Sequence, residues 1–269
     1  MMGPSHALSG AAVWLGGSWA VEQYGLYHQT PLEIAVGTAV CAGAALLPDL
    51  DMSGRVISGQ GGATVANTFG RASLFVAEVL EKASHAVYTL TRMRHDPDRA
   101  NGHRTLTHTI PFTVGVGALT TWGCAAGGKW AVLGILFLML GLALRGLFHT
   151  WAQRAGWILI TAVSAAAAYG TYLVLPADRG YPLLGLAVGV GCFVHLLGDV
   201  ITSAGVPLLW PLPTGRRMWR MIGVPNSLAV SVGGKVETIV LRGGFTLICI
   251  AAAAGLVGPT LLEILNIRI

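Results

Sequence analysis

The chain has 269 residues, of which 54% are hydrophobic and only 11% are charged. Because an average soluble domain is about one quarter charged, this composition excludes an ordinary soluble protein and indicates a membrane protein. The net charge of +5 could by itself suggest nucleic-acid binding, but the distribution of the basic residues argues against it. The cysteines fall inside apolar segments without a C-x-x-C pairing, which predicts buried apolar filler and no zinc–thiolate or disulfide framework; they are Cys41, Cys124, Cys192 and Cys249.

Seven apolar segments are long enough to cross, or nearly cross, a hydrocarbon core of ~30 Å. They cover residues 7–24, 32–47, 109–126, 130–148, 156–175, 182–200 and 244–265. The second segment is also short enough to be a buried or re-entrant helix. The first segment has no basic region before it and carries His6 at its start and Glu22 near its end, so we expect it to be retained and not cleaved as a signal peptide. The sequence predicts an all-α, polytopic membrane helical bundle that forms a single embedded domain over residues 1–269.

Two inserts interrupt the apolar segments. Within the first, residues 52–102, apolar residues recur at helical spacing from Val65 to Arg92 and predict an amphipathic helix. This helix either lies on the bilayer surface, with its basic end near anionic headgroups, or packs over the ends of the bundle. The second insert, residues 203–243, contains several prolines and predicts a structured proline-rich loop, with a short hairpin near residues 231–241.

The basic residues indicate how the bundle is oriented. If the segments cross the bilayer alternately, both inserts lie on the face from which the first segment starts, together with fourteen of the basic residues. The opposite face receives only Lys129, Arg179 and Arg268. By the positive-inside rule the first face is cytoplasmic, so we predict a multi-pass protein of the inner (cytoplasmic) membrane. Membrane topology accounts for the basic residues, and direct contact with nucleic acid is not expected.

His195 and Asp199 form the clearest pair of metal-ligating residues. They are four residues apart at the end of an apolar segment, so they share one helical face, with Cβ atoms ~5–6 Å apart. Both side chains could therefore reach one ion. The alternative is a hydrogen-bonded pair that only stabilises a helix end.

Two carboxylates follow the second apolar segment. Asp49 and Asp51 come directly after Pro48, which ends the helix. Carboxylates two residues apart in a turn can converge on a cation, or one can bridge ions while the other orients a water molecule. We therefore predict that Asp49 and Asp51 are metal ligands or catalytic acid–base groups. The alternative is a solvated turn at the membrane surface.

A histidine pair precedes the third apolar segment. His103 is expected in a loop and His108 in the first helical turn, where both imidazoles can face inward and bind a divalent metal. Between them, Arg104 supplies a planar guanidinium suited to a phosphate group. The alternative is a pair of interfacial histidines that cap helix ends. Glu237, in the second insert, is a further candidate as a ligand, a general acid or a solvated strand residue.

His6, at the start of the first segment, is expected on the same side of the membrane as the histidines and aspartates named above. Alternating segments bring all of them to one face, and an uncompensated charge within a membrane segment costs roughly 2.5–3.5 kcal/mol or more. A metal site of one or two divalent ions explains the cluster better than separate structural roles do. Zinc, manganese and magnesium all suit such donors, and zinc is slightly favoured. The predicted metal ligands are His6, Asp49, Asp51, His103, His108, His195 and Asp199.

These motifs resemble the YdjM-like family of bacterial inner-membrane proteins. The resemblance is carried by residues 5–10, 47–51, 103–108 and 195–199, together with Thr202, Trp210, Pro211, Gly234 and Glu237. It implies a membrane-bound, metal-dependent hydrolase, and the family is also described as LexA-binding. Residues 195–202 are in addition similar to a ligand motif of zinc-dependent phospholipase C and related nucleases.

The sequence therefore predicts a hydrolase whose metal site faces the cytoplasm and which cleaves a phosphoester of a phospholipid or an isoprenoid phosphate. Asp49, Asp51, Arg104 and Glu237 are its predicted catalytic residues, and membrane lipids are its expected partners. The alternative is a non-enzymatic protein: a metal transporter, or an anchor that binds a regulatory protein partner through its basic loops. Transport would favour polar groups near mid-membrane, whereas these residues gather at one face.

Overall fold

The computed structural model of the chain describes residues 1–53 and 65–264, and within these ranges it is all-helical, without a β-strand. This confirms the predicted helical membrane bundle. The seven α-helices are α1 (Gly3–Gln23), α2 (Pro31–Ala44), α3 (Arg71–Thr91), α4 (Ile110–Leu147), α5 (His149–Val174), α6 (Ala177–Val200) and α7 (Arg242–Ile264). Short 3-10 turns lie at Pro48–Asp51 and Leu106–His108, and a π-helical turn at Val236–Leu241 leads into α7.

Among the described residues, five helical stretches are long and apolar enough to cross a membrane. They are Pro31–Asp51, Ile110–Leu147, His149–Val174, Gly180–Val200 and Val236–Leu256. Six of the seven predicted segments overlap these stretches, and the stretch Ile110–Leu147 contains most of two of them. The first predicted segment corresponds to α1, which is not one of the five because its sequence is less apolar. The amino-terminal half of α1 is largely buried against its neighbours.

Helix α4 doubles back on itself. Its 38 residues would extend about 57 Å as one straight helix, nearly twice the hydrocarbon thickness. Gly128 interrupts it with a φ of 54°, a left-handed conformation that suits glycine. The first half passes Gly189 at Gly117, and the second half returns to pack Gly146 against Ala7. Both ends of α4 therefore lie at the end of the bundle that carries the histidines, called the site end below.

Helix α2 forms the centre of the bundle. Its start is fixed by a capping box in which Thr30 and Glu33 bond each other's backbone amides. Neighbouring helices approach it through glycines: a Cβ at Gly43 would collide with the carbonyl oxygen of Met139, and one at Gly191 with that of Cys41. Close packing of this kind is typical of membrane helices. It holds the end of α2, and the 3-10 turn that follows, in a fixed position.

The first insert contains the predicted amphipathic helix, α3. It begins at Arg71, six residues later than predicted, because Gly70 has a φ of 67° and breaks the helical path. It packs over the 3-10 turns at Pro48–Asp51 and Leu106–His108, at the site end. Residues 54–64 of this insert lie outside the described residues, as do Arg55 and Arg268 of the charge count.

The second insert is a loop anchored to the first insert. The buried carboxylate of Asp96 accepts hydrogen bonds from the backbone amides of Met218 and Trp219. The hairpin predicted near residues 231–241 is wrong, since residues 236–241 are helical and continue into α7. The apolar residues there extend the membrane helix instead of pairing as strands.

Candidate metal centre

Four separate parts of the chain bring their chemistry-bearing side chains together at the site end. His6 comes from α1, Asp49 from the 3-10 turn after α2, His108 from the turn before α4, and His195 and Asp199 from the end of α6. The three histidines have no exposed surface, and the exposed fractions of the two aspartates are 8% and 1%. Buried ionisable groups at this density require compensation by a partner of opposite charge.

Hydrogen bonds determine which nitrogen of each imidazole carries a proton. His195 Nδ1–H donates to the carbonyl oxygen of Ala45 over 2.7 Å, which leaves Nε2 with its lone pair. The Thr107 hydroxyl donates to Asp51 over 2.6 Å, so its oxygen accepts from His108 Nδ1–H at 2.9 Å. His108 therefore also presents a bare Nε2. The two Nε2 atoms are 3.3 Å apart.

Two carboxylate oxygens complete a set of four acceptor atoms. Asp49 Oδ1 lies 3.7 Å from His108 Nε2 and 3.6 Å from His195 Nε2. Asp199 Oδ2 lies 3.6 Å and 3.8 Å from the same two nitrogens. Atoms at the corners of a tetrahedron with such edges lie about 2.0–2.3 Å from its centre, close to the ~2.0–2.2 Å of zinc–nitrogen and zinc–carboxylate bonds. These residues therefore fit a divalent cation.

His6 supplies a second observation that fits a metal. Its ring is fully buried, and within the described part of the chain neither ring nitrogen has a hydrogen-bond partner. The ring stacks on His195 at 3.8 Å between centroids, and Nε2 lies 3.4 Å from Asp199 Oδ1. The ammonium group of Met1 is 2.6 Å from the same oxygen. Asp199 therefore faces His6 with one oxygen and His108 with the other.

The ligand atoms fall into two groups of three, each with its atoms within 4.8 Å of one another. The first group is His6, His195 and Asp199, and the second is Asp49, His103 and His108. Because Asp199 and the His108–His195 contact connect the groups, the arrangement is compatible with either one ion or two adjacent ions. Six of the seven predicted ligands are members of these groups.

Asp51, the seventh predicted ligand, lies behind two of the histidines. One of its oxygens accepts from His103 Nδ1 at 2.7 Å, and the other accepts from Thr107, which in turn orients His108. Burial lowers the pKa of His103, but the hydrogen bond to Asp51 and the charges of Asp51 and Asp49 outweigh it and raise the pKa above its usual value. Such carboxylate–histidine contacts orient metal-binding imidazoles.

Asp51→Asn is therefore expected to weaken metal binding without removing a ligand. Contacts of this outer kind typically contribute 10–100-fold in affinity, so we expect the metal dissociation constant to rise by about that factor. Competition with a chromophoric chelator measures it. Asp98→Asn, in an exposed loop, is the control. An unchanged dissociation constant in Asp51→Asn would contradict the orienting role.

Arg104 borders the cluster on its more open side. Its φ of 55° places the backbone in the left-handed region, and the guanidinium Nη2 lies 2.9 Å from Asp199 Oδ2. Nη1 donates to the carbonyl oxygen of Gly205 over 3.4 Å. A guanidinium has five N–H donors, so further donors remain for an anion. The side chains of Arg104, His103 and Asp49 are 16%, 21% and 12% exposed, which marks where the cluster opens.

Glu237 lies apart from both ligand groups in the described structure. Its carboxylate is buried and accepts hydrogen bonds from the backbone amides of Met2 and Gly233, at 2.7 and 2.8 Å. It thereby ties the start of α7 to the start of α1, which carries His6. Its predicted catalytic role stays a prediction, and its contacts are those of a residue that positions α1.

Sequence reasoning missed two groups of the site. Thr107 relays the orientation of Asp51 to His108, and the carbonyl group of Ala45 fixes the tautomer of His195. A threonine directly before a candidate ligand is a weak signal that could have indicated the first. Backbone carbonyl groups leave no signal in a sequence, so the second depends on the tertiary structure alone.

The fold and the site define a helical membrane protein with a buried cluster of histidines and aspartates that could hold a metal ion. The sequence profile described as YdjM inner membrane protein matches residues 1–261. The chain therefore belongs to this family of inner-membrane proteins, as its motifs predicted. Neither curated proteins nor solved structures gave a match.

Proposed function

We propose that this protein is a metal-dependent hydrolase that cleaves a phosphoester of a membrane lipid or an isoprenoid phosphate. The observation that carries the proposal is the set of four acceptor atoms, two imidazole nitrogens and two carboxylate oxygens, 3.3–3.8 Å apart across the five measured pairs. A divalent cation between these atoms would satisfy all four of them. The membership of an inner-membrane family supports the membrane setting.

The residues divide into binding and catalytic roles. His6, His108, His195, Asp49 and Asp199 would hold one or two divalent ions, with His103 as a further ligand. A bound divalent ion lowers the pKa of water to about 7 and so supplies hydroxide at neutral pH. Asp199, with one oxygen directed to His6 and the other to His108, would help to hold whichever ions bind there. Zinc, manganese and magnesium all remain compatible with these donors.

The catalytic roles are proton transfer and stabilisation of negative charge. Asp51 is engaged on both oxygens, so we assign it to orienting His103 and His108 in place of direct ligation or base catalysis. Asp49 would have both roles: it would hold the ion through Oδ1, and because its carboxylate is partly exposed at the opening it could also accept a proton from water. Arg104 would hold a phosphate oxygen through its remaining N–H groups and offset the negative charge that develops during cleavage.

An apolar groove beside the cluster supports a lipid substrate. A cavity of about 530 Å³ lies between α4 and α6 and is lined almost entirely by apolar side chains and glycines. At the site end the groove is lined by Ile110 and Phe193, each two positions from a candidate ligand. At its other end it is lined by Thr121 and Pro182, each eleven residues away along the same helix. Eleven helical residues extend about 16 Å, roughly half of the hydrocarbon core and so the depth of one leaflet. This length suits one hydrocarbon tail.

The orientation is also part of the proposal. The predicted excess of basic residues at the site end favours a cytoplasmic location for the cluster, by the positive-inside rule. A phosphoester headgroup of the inner leaflet would then reach Arg104, while its tail occupies the groove between α4 and α6.

Hydrolysis of lipid phosphates by the full-length protein in lipid nanodiscs tests the function directly. We expect turnover of long-chain phosphoesters after loading with zinc or manganese, and its loss when a chelator removes the metal, because hydroxide formation needs the ion. Release of phosphate or of the headgroup is the measurement. Protein that binds metal but hydrolyses neither phospholipids nor isoprenoid phosphates would contradict the proposal and favour a non-enzymatic role.

A matched pair of variants tests the lipid tail in the same assay. Ala118→Trp fills the groove, whereas Ala166→Trp adds the same side chain on the exposed surface of α5. We expect only Ala118→Trp to raise the KM for long-chain substrates, with short-chain phosphoesters unaffected. Equal effects of both variants on long-chain substrates would argue against a tail in this groove.

A further inference from the structure

Helix α3 has the reverse of the polarity expected for a helix that covers a protein surface. Its buried side chains are small or polar, namely Ser73, Ala77 and Ser84, together with Tyr88, and the partly buried Leu80 packs against the core. Its outward face is apolar instead. At 100° per residue that face covers an arc of about 100°; its members are Phe75, Val76, Val79, Ala83, Ala86 and Leu90, all of them exposed.

The packed face of α3 holds the segments that carry the candidate metal centre. Glu81 accepts a hydrogen bond from the backbone amide of Ser53, two residues after Asp51. Thr105, the residue after Arg104, donates a hydrogen bond from its hydroxyl to the carbonyl oxygen of Ser84. Gly102 lies against the backbone of α3 so closely that a Cβ there would collide with the carbonyl oxygen of Glu81. The loop with His103 and Arg104 therefore rests on α3.

We propose that α3 docks through its outward apolar face into the lipid leaflet at the site end, and that this docking holds the His103–Arg104 loop in place at headgroup depth. The start of α3 lies beside a candidate membrane span, because Gly70, directly before α3, packs on Trp157 of α5. Half or more of the surface of Phe75, Val76, Val79 and Leu90 is exposed, at 68%, 53%, 50% and 84%.

The charges on α3 favour a lipid surface over a protein partner as the occupant. Arg71 begins the helix, and Lys82, whose ammonium group lies 3.1 Å from the carboxylate of Glu78, stands at the border of the apolar face, at the level of anionic headgroups. An apolar face bordered by basic residues is typical of helices that lie in the membrane interface. The catalytic consequence rests on the proposed function: a substrate in the leaflet would meet Arg104 only where α3 is seated in the same leaflet.

Depth measurement on the full-length chain tests the docking itself. A spin label is attached to Val79→Cys or Leu90→Cys, in nanodiscs of phosphatidylethanolamine and phosphatidylglycerol, in a background with Cys249→Ala because the other cysteines are buried. We expect both labels to be more accessible to oxygen than to a water-soluble nickel chelate. The control label at Asp98→Cys, in an exposed loop, is expected to show the reverse.

Two results would overturn the docking. Labels on α3 that are as accessible to the nickel chelate as the control would place the face in water. Labels shielded from both reagents would show that a protein, such as a second copy of this chain, covers the face instead of lipid.

A charge on the apolar face tests the link to the site. Val79→Asp is expected to lower hydrolysis of lipid phosphates in bilayers about tenfold, with metal content and turnover of a water-soluble aryl phosphoester unchanged. Leu228→Asp, an exposed position in the second insert, is the control. Equal losses on both substrates would refute the link. Absence of hydrolysis in the unmodified protein would contradict the proposed function but leave the depth result to decide the docking.

Discussion

Replacing His195 by alanine is expected to leave the purified protein with less than one tenth of its bound metal and to lower hydrolysis by about 10³-fold. His195 Nε2 takes part in three of the five separations that define the acceptor set, and its ring also stacks on His6. Loss of an outer contact alone typically costs 10–100-fold in affinity, so loss of a ligand should cost more. Elemental analysis of the purified variant measures the metal.

The control for this experiment is His28→Ala. His28 is exposed at the opposite end of α1 and pairs with Glu22. We expect this variant to retain the metal and the activity of the unmodified protein. If His195→Ala folds in the membrane and keeps its full metal content, the site is wrongly assigned.

Arg104→Gln is expected to lower kcat/KM for lipid phosphates by about 10²–10³-fold while the metal stays bound, because under the proposed function it removes the donor that would stabilise developing negative charge. The guanidinium contacts Asp199 but is not a member of either ligand group. Arg104→Lys should recover only part of the activity, since an ammonium group cannot make the planar, two-pronged contact with a phosphate. Steady-state kinetics together with metal analysis of the same preparations provides the test.

The matched control for Arg104 is Arg92→Gln, which removes a partly exposed arginine paired with Asp98. Its kinetics are expected to remain unchanged. Loss of metal from Arg104→Gln would mean that the arginine mainly stabilises the carboxylate of Asp199, and unchanged kcat/KM would remove Arg104 from the catalytic account.

Much of the fold follows from the sequence because the membrane restricts the available structures. Apolar segments of this length in a membrane are expected to be helical, and the gap between the predicted segments 109–126 and 130–148 contains Gly128, where the chain reverses. Local details were less predictable. The start of α3 depends on the conformation of Gly70. Residues 236–241 are helical because they continue into α7, although their sequence pattern is also typical of a hairpin.

The membership of the site was predictable for a different reason. Alternating crossings bring the ends of four segments to one level, and the structure places His6, Asp49, His108 and Asp199 together there. The roles within the site were not predictable. Whether a carboxylate ligates a metal or orients a histidine depends on separations of an ångström or less, as the bonds of Asp51 to His103 and Thr107 illustrate.

The metal content of the full-length protein, purified in detergent without chelators, tests the central claim most directly. Elemental analysis by mass spectrometry is expected to find one or two tightly bound divalent ions per chain, held by the two ligand groups around His195 and His108. Chelation should remove these ions, and zinc or manganese should restore them. Protein that carries no metal and binds none after incubation with zinc, manganese or magnesium would contradict the account.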